Sequence, residues 1–278
     1  MVPNLTIPFS RRRAIPILAC AVLTLALSGA LKAEDSNAAA LVAQLRLPDW
    51  WTVHCTELDL ESMQEKAVPV LLDLLDSKEV VPLTDTMDLI YPGAKTFYGH
   101  GYMVDYAIDS LAVRAGWILE SITFQDFGFR AGTIQEDALF KAMRENPPGD
   151  MPLERAVGSK KGPESGPVAA AAERARKWWA KAGPKWTRFQ GVVEALDSND
   201  PERQLAVLGW LRDGERSECD GLMERYEKEI RPRVAKLAGS ADQNVRQQAG
   251  YLLQSGLPTP MPELEGVFSG LTCKKKAE

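Results

Sequence analysis

Two histidines, His54 and His100, and four cysteines are the chain's whole stock of imidazole bases and thiols. His100 stands in the segment with the densest chemical content. There the chain gathers Tyr91, Lys95, Tyr98, His100, Tyr102 and Asp105 among Pro92, Gly93, Gly99 and Gly101. Glycines let the backbone turn sharply and expose neighbouring side chains. His100 oriented by Asp105 has the make-up of an acid/base pair, and the tyrosines with Lys95 that of a pocket wall. Arg114, on the next helical stretch, would hold a carboxylate or phosphate if it faced this loop. The same residues also read as a self-packed loop capping the helices, with His100 bonded to backbone. Arg114 then satisfies helix and turn carbonyls or pairs with an acid.

Two other groupings carry chemical residue types. His54-Cys55 adjoins Trp50-Trp51, but a nucleophilic pair needs neighbours in space rather than in sequence. Arg174, Arg176, Lys177, Lys181, Lys185 and Arg188 follow one another without an intervening acid, around Trp178, Trp179 and Trp186. Arg174, Lys177 and Lys181 share one helix face, so with Arg188 they predict an anionic-surface contact, or a solvated basic face over a tryptophan-anchored core. Phe124, Phe127 and Phe129 after Glu120 predict edge-on aromatic packing beside the His100 loop. No Gly-x-Ser-x-Gly, P-loop, dinucleotide fingerprint or His-Glu-x-x-His occurs, which lowers the case for an enzyme. No metal site and no cofactor are expected from this spacing.

The chain has 278 residues, 45% of them hydrophobic and 26% charged, with a net charge of −5. That composition is globular, and it argues against a generic nucleic-acid binder. Residues 1–33 read as an export signal. Arg11, Arg12 and Arg13 precede an apolar run from Ala14 to Leu31, and small residues at Ala30 or Ala33 suit cleavage. Ser10-Arg11-Arg12-Arg13-Ala14-Ile15 resembles a relaxed twin-arginine signal. Removing residues 1–33 removes four basic residues and no acid, taking the charge from −5 to −9. Cys55, Cys219 and Cys273 then remain, and an oxidising compartment permits one disulfide among three pairings. Cys219–Cys273 is favoured, because Cys55 is expected near the other end of an elongated fold; all three unpaired is the alternative.

Helical spacing recurs through 37–45, 59–77, 107–122, 135–145, 169–181, 186–196, 202–211, 220–237 and 243–254. Pro69 inside the second of these predicts a kink or the start of a new helix. No alternating run argues for a sheet. The chain therefore divides into a signal (1–33), an N-terminal helical region (34–146) with a loop insertion at 82–106, a flexible linker (147–167), C-terminal helices (168–256) and an extended tail (257–278).

A weak repeat runs through these helices. Asp242, Val245, Arg246 and Ala249 form one instance, Arg203 and Ala206 a partial one, and Val113, Arg114 and Gly116 keep only the Val-Arg pair. This resembles HEAT-repeat proteins, whose paired helices stack side by side. The resemblance implies an all-α, short irregular α-α superhelix in which each arginine reaches turn acids of a neighbouring unit. An irregular helical bundle is the plainer alternative. The resulting expectation is an exported protein-binding or scaffold module of the periplasm or cell envelope, with a protein partner, no nucleic acid, and membrane contact only through the signal or the basic surface. The alternatives are a hydrolase centred on His100, or envelope adhesion through residues 174–188.

Overall fold

The computed structural model describes residues 37–84, 89–90, 96–97, 102–104, 107–129, 151–152, 165–213 and 219–256. The fold is all-α. Helix α1 spans 37–44. Asp49 then caps α2 (Trp50–Ser62), its carboxylate accepting from the Thr52 N–H at 2.8 Å. This helix starts nine residues before the periodicity suggested, because Trp50, Trp51 and Thr52 are only half-buried and give no clean apolar stripe. A 3-10 turn (Gln64–Ala67) separates it from α3 (Val68–Leu74), which carries Pro69 in its first turn. Pro69 thus opens a new helix, where its missing N–H leaves no bond unmade.

Next comes α4 (Leu111–Thr123), followed by α5 (Ser165–Ala182), α6 (Arg188–Leu196) and α7 (Pro201–Asp213). Thr187 and Gln190 form a reciprocal capping box at the start of α6. The short α8 (Leu222–Arg225) runs through a π turn (Tyr226–Ile230) into α9 (Arg231–Leu237), and α10 (Gln243–Ser255) follows an Asp242 cap. Pro232 gives the π turn a local cause. Proline offers no N–H to an α-type ladder, and the Arg231 N–H reaches back five residues to the Tyr226 carbonyl.

Two-residue ladders occur where no sheet was expected. Leu89–Ile90 pairs in parallel with Tyr102–Met103, and Thr96–Phe97 pairs antiparallel with Met151–Pro152. The second ladder joins the insertion to the segment read as a linker, and α5 begins within that segment, at Ser165.

The apolar side chains gather into two cores. One holds Leu60, Leu71, Leu111, Ile118 and Ile122 with Ala171, Ala172 and Ala175 of α5. The other holds Val192, Leu208, Leu211, Ile230, Val234, Val245 and Leu252. In the first, α3 packs along α4. In the second, α6 packs on α7, α9 on α10, and α7 along α10. Arg212 of α7 donates to Gln248 of α10 at 2.7 Å, and Arg233 of α9 pairs with Asp197 after α6 at 2.9 Å.

The repeated arginines bond turn backbone, and the charges of Asp200, Glu194 and Asp126 also act on Arg203. Arg203 Nε donates to the Phe124 carbonyl at 2.8 Å, and Arg246 Nη1 to the Ser240 carbonyl at 2.6 Å. Arg114 donates to the carbonyls of Ile108, Leu45, Leu47 and Val81. Among the described residues these hydrogen bonds go to turn backbone rather than to turn acids. A guanidinium fork spreads its donors over several carbonyls that irregular backbone leaves without a partner.

The residues after α4 fold back over it. Phe124 ends the helix in a left-handed conformation (φ 53°). Glu120 Oε1 then accepts from three successive backbone N–H groups, those of Phe127, Gly128 and Phe129, at 2.7, 2.8 and 3.1 Å. Phe127 tilts against Trp178 and Phe124 against Trp210. The ring of Phe129 lies over Gly116. These aromatics pack on helices α4, α5 and α7.

Candidate functional site

Of the residues singled out in the sequence, Tyr91, Lys95, Tyr98, His100 and Asp105 lie outside the described residues. Tyr102 enters the short ladder opposite Leu89. Arg114 is 1% exposed and grips backbone from three segments. Its place in a ligand-binding surface is corrected accordingly: the guanidinium sits inside the first core, away from solvent.

The basic stretch divides as well. Arg188 is fully buried, so it leaves the anionic-surface set. Arg174 Nε donates to the Phe127 carbonyl at 2.7 Å. Lys177 pairs with Glu173 one turn earlier at 2.7 Å, and Arg176 with Asp76 at 2.8 Å. Lys181 stays on the exposed face. Glu173 precedes the run of bases, so counting acids only inside the run overstated its positive charge.

The cysteine pairing is also corrected. Cys219 is a free thiol buried in the second core, and burial pushes its pKa up to about 12. Cys55 is disulfide-bonded. Cys219 is the one other cysteine among the described residues, so the partner of Cys55 lies outside them. Oxidised Cys55 is no nucleophile. Among the described residues no group of three or more His, Cys, Asp or Glu is placed to hold a metal ion, and no helix is long and apolar enough to cross a membrane.

A polar seam that sequence reasoning missed lies where the two cores meet. Helix α2 turns Thr56, Glu57 and Glu61 inward beside Val53 and Leu60. Arg188, the first residue of α6, enters from the other side. Its Nη1 donates to the Glu61 carbonyl at 3.0 Å, and its Nη2 lies 3.9 Å from the Glu61 carboxylate. Its backbone N–H donates to Glu65 Oε2 at 3.2 Å. The guanidinium also faces the rings of Trp210 and Phe124, at 5.0 and 5.6 Å from their centroids. Ser121 of α4 donates to the Glu61 carboxylate. The Glu61 carbonyl and the two rings take the place of part of its water.

Beside this seam is an open cavity of about 380 Å³ lined by Asn37, residues 62–66 and Asp220. Gln64 forms its lip in a left-handed conformation (φ 54°), unusual for a residue with a side chain. Its amide clasps Asp220 from both sides. Nε2 donates to Asp220 Oδ1 at 3.2 Å, and Oε1 accepts from the Asp220 N–H at 3.3 Å. This clasp ties the N-terminal half to the turn before α8. No sequence signal marked it, since Gln64 sits within a stretch of helical spacing.

At the other end of α2, His54 stacks on Trp50 (centroids 5.5 Å apart, rings inclined 27°) and lies 5.8 Å from Trp51. Its Nδ1 is 3.5 Å from Glu57 Oε2. The hydrogen bond to Glu57 raises the His54 pKa above its ordinary value of 6.5; burial opposes the rise, and the charges of Glu57 and Glu61 add to it. A folded-state pKa above the unfolded one means the folded protein binds the extra proton. The stabilisation is complete below about pH 6.5 and is lost as pH climbs through the raised value. Thermal midpoints across that window are expected to fall with rising pH, and His54→Gln to flatten the slope. Parallel slopes in the two proteins would refute the assignment.

No protein-family model, curated protein or solved structure matches the chain.

Proposed function

We propose that the chain is an exported protein-binding or scaffold module of the periplasm or cell envelope, built on HEAT-like helix pairs. The observation that carries this reading is the outer face of α10. Gln243, Gln247, Tyr251 and Gln254 recur at helical spacing and are all exposed. Tyr251 is 55% exposed. An uncharged stripe centred on an exposed tyrosine has the make-up of a protein-interface core, where charge is depleted and tyrosine enriched. The packing of α6/α7 against α9/α10 is consistent with stacked pairs, which offer long faces to partners. The disulfide on Cys55 supports export, since such bonds persist in oxidising compartments.

The test is a photo-crosslinking residue placed at Gln247 in cells making the full chain, with exposed Lys228 as control position. We expect a discrete adduct from Gln247, reduced roughly fivefold or more by Tyr251→Ala, and none from Lys228. A folded, exported chain that yields no adduct at Gln247 refutes the reading.

A further inference from the structure

We infer that the Gln64–Asp220 clasp is a latch: it holds the turn 219–221 shut against the second core, and its release swings that turn out as a local unit while both cores stay folded. The turn has few ties. Among the described residues its hydrogen bonds beyond α8 both run to the Gln64 side chain, at 3.2 and 3.3 Å. Both are exposed, so water can replace them. Its other bonds lead into the four-residue α8: the Leu222 N–H donates to the Cys219 carbonyl at 3.0 Å and the Arg225 N–H to the Gly221 carbonyl at 3.2 Å. The backbone at each end of the clasp also favours movement. Gln64 is held at φ 54°, a conformation that costs a residue with a side chain, and the clasp offsets that cost only while it is closed. Gly221, next to Asp220, sits at φ 74° and makes a pivot without a Cβ to hinder it. Local openings draw on segments of this kind, with exposed hydrogen bonds and few buried contacts.

Release changes two things. Gln64 and Asp220 are two walls of the cavity, so the motion widens it. Cys219 adjoins Asp220 and is 4% exposed, so the same motion uncovers its free thiol. In the closed turn, burial is the main cause that pushes the thiol up to about 12; the charges of Asp220 and Glu65 add to the rise, and those of Arg188 and Arg225 oppose it. Water reaching the sulfur removes the burial penalty and leaves two carboxylates against two guanidiniums. The thiol then changes from inert to an ordinary nucleophile, and its reactivity reports the state of the latch.

The experiment treats the full chain, without reductant, with N-ethylmaleimide across a series of urea concentrations below the unfolding transition. Digestion and mass spectrometry read the alkylation rate of Cys219 on its own peptide. In the parent protein a measurable rate nearly independent of urea is expected, because opening one turn exposes little surface. Gln64→Ala removes both bonds of the clasp and changes no charge. It is expected to raise the rate roughly tenfold while the urea midpoint for global unfolding barely moves. A parent rate that climbs with urea as steeply as global unfolding, or no alkylation until the chain unfolds, overturns the latch. So does an unchanged rate in a folded Gln64→Ala protein. Where alanine does not fold, Gln64→Gly takes the left-handed conformation without strain and carries the same expectation.

Discussion

Replacing Arg114 by methionine is expected to cost more than about 4 kcal/mol, enough to threaten folding of a marginally stable domain. Methionine keeps much of the length and apolar bulk but donates nothing. The carbonyls of Leu45, Ile108 and Val81 belong to three separate irregular segments, and all three meet at this one guanidinium. Each bond to a charged donor contributes about 1.5–3 kcal/mol, and buried carbonyls left without a donor add a desolvation cost. Arg114→Lys should recover little, because one ammonium cannot reproduce a planar fork reaching three directions. Arg246 is the internal control: it stands at the matching place in the last helix pair, bonds turn carbonyls too, and is exposed. Arg246→Met should cost about 1 kcal/mol or less, since water can replace its bonds. Urea titration of the two variants checks this, and equal losses would sink the account.

Gly116→Ala should destabilise by about 3 kcal/mol, although alanine is the better helix former by about 1 kcal/mol. A Cβ at residue 116 would lie 2.3 Å from two ring carbons of Phe129. Its backbone is held, since the Phe129 N–H is the third donor to the Glu120 carboxylate. The ring can therefore move aside only by side-chain rotation, which the close-packed first core around it resists. Phe129→Ala alone should cost about 3–5 kcal/mol, as large aromatic deletions in a core do. With the ring gone the added methyl no longer clashes, so the double variant should lose less than the sum, with a coupling of about 2 kcal/mol. A Gly116→Ala protein at least as stable as the parent would mean that the ring yields easily.

The helical character and most boundaries from α4 onward were legible in the sequence, because those helices bury one regular stripe. α10 is such a case: Val245, Ala249 and Leu252 are buried behind an Asp242 cap. α2 was not legible as a whole, because it turns glutamates and a threonine inward as well as apolar groups. Period counting takes Glu57 and Glu61 for a solvated face, yet Glu57 meets His54, and Glu61 meets Ser121 and Arg188, the latter 127 residues away. Residue type misled in the same way at position 114, where a charged side chain serves the backbone. The glycines at 116 and 191 look like weak points of their helices. Each instead leaves room for an aromatic ring, that of Phe129 in one case and of Trp186 in the other. Each ring comes from beyond its glycine's own helix, so the helical period does not disclose it.

The π turn ahead of α9 settles a mismatch of phase. Leu222, Tyr226, Ile230 and Val234 are all buried, at a strict interval of four. An α-helix advances about 100° per residue, so a four-residue interval precesses by about 40° each time. Over three intervals the stripe would wander about 120°, and Val234 would leave the core that Leu222 enters. The wider winding of residues 226–230 takes up that angular debt, like a leap day in a calendar. Winding the same residues as an unbroken α-helix would leave that drift in place and turn everything downstream with it. Val234 and Leu237 would then face water, and α10 would lose the surface it rests on.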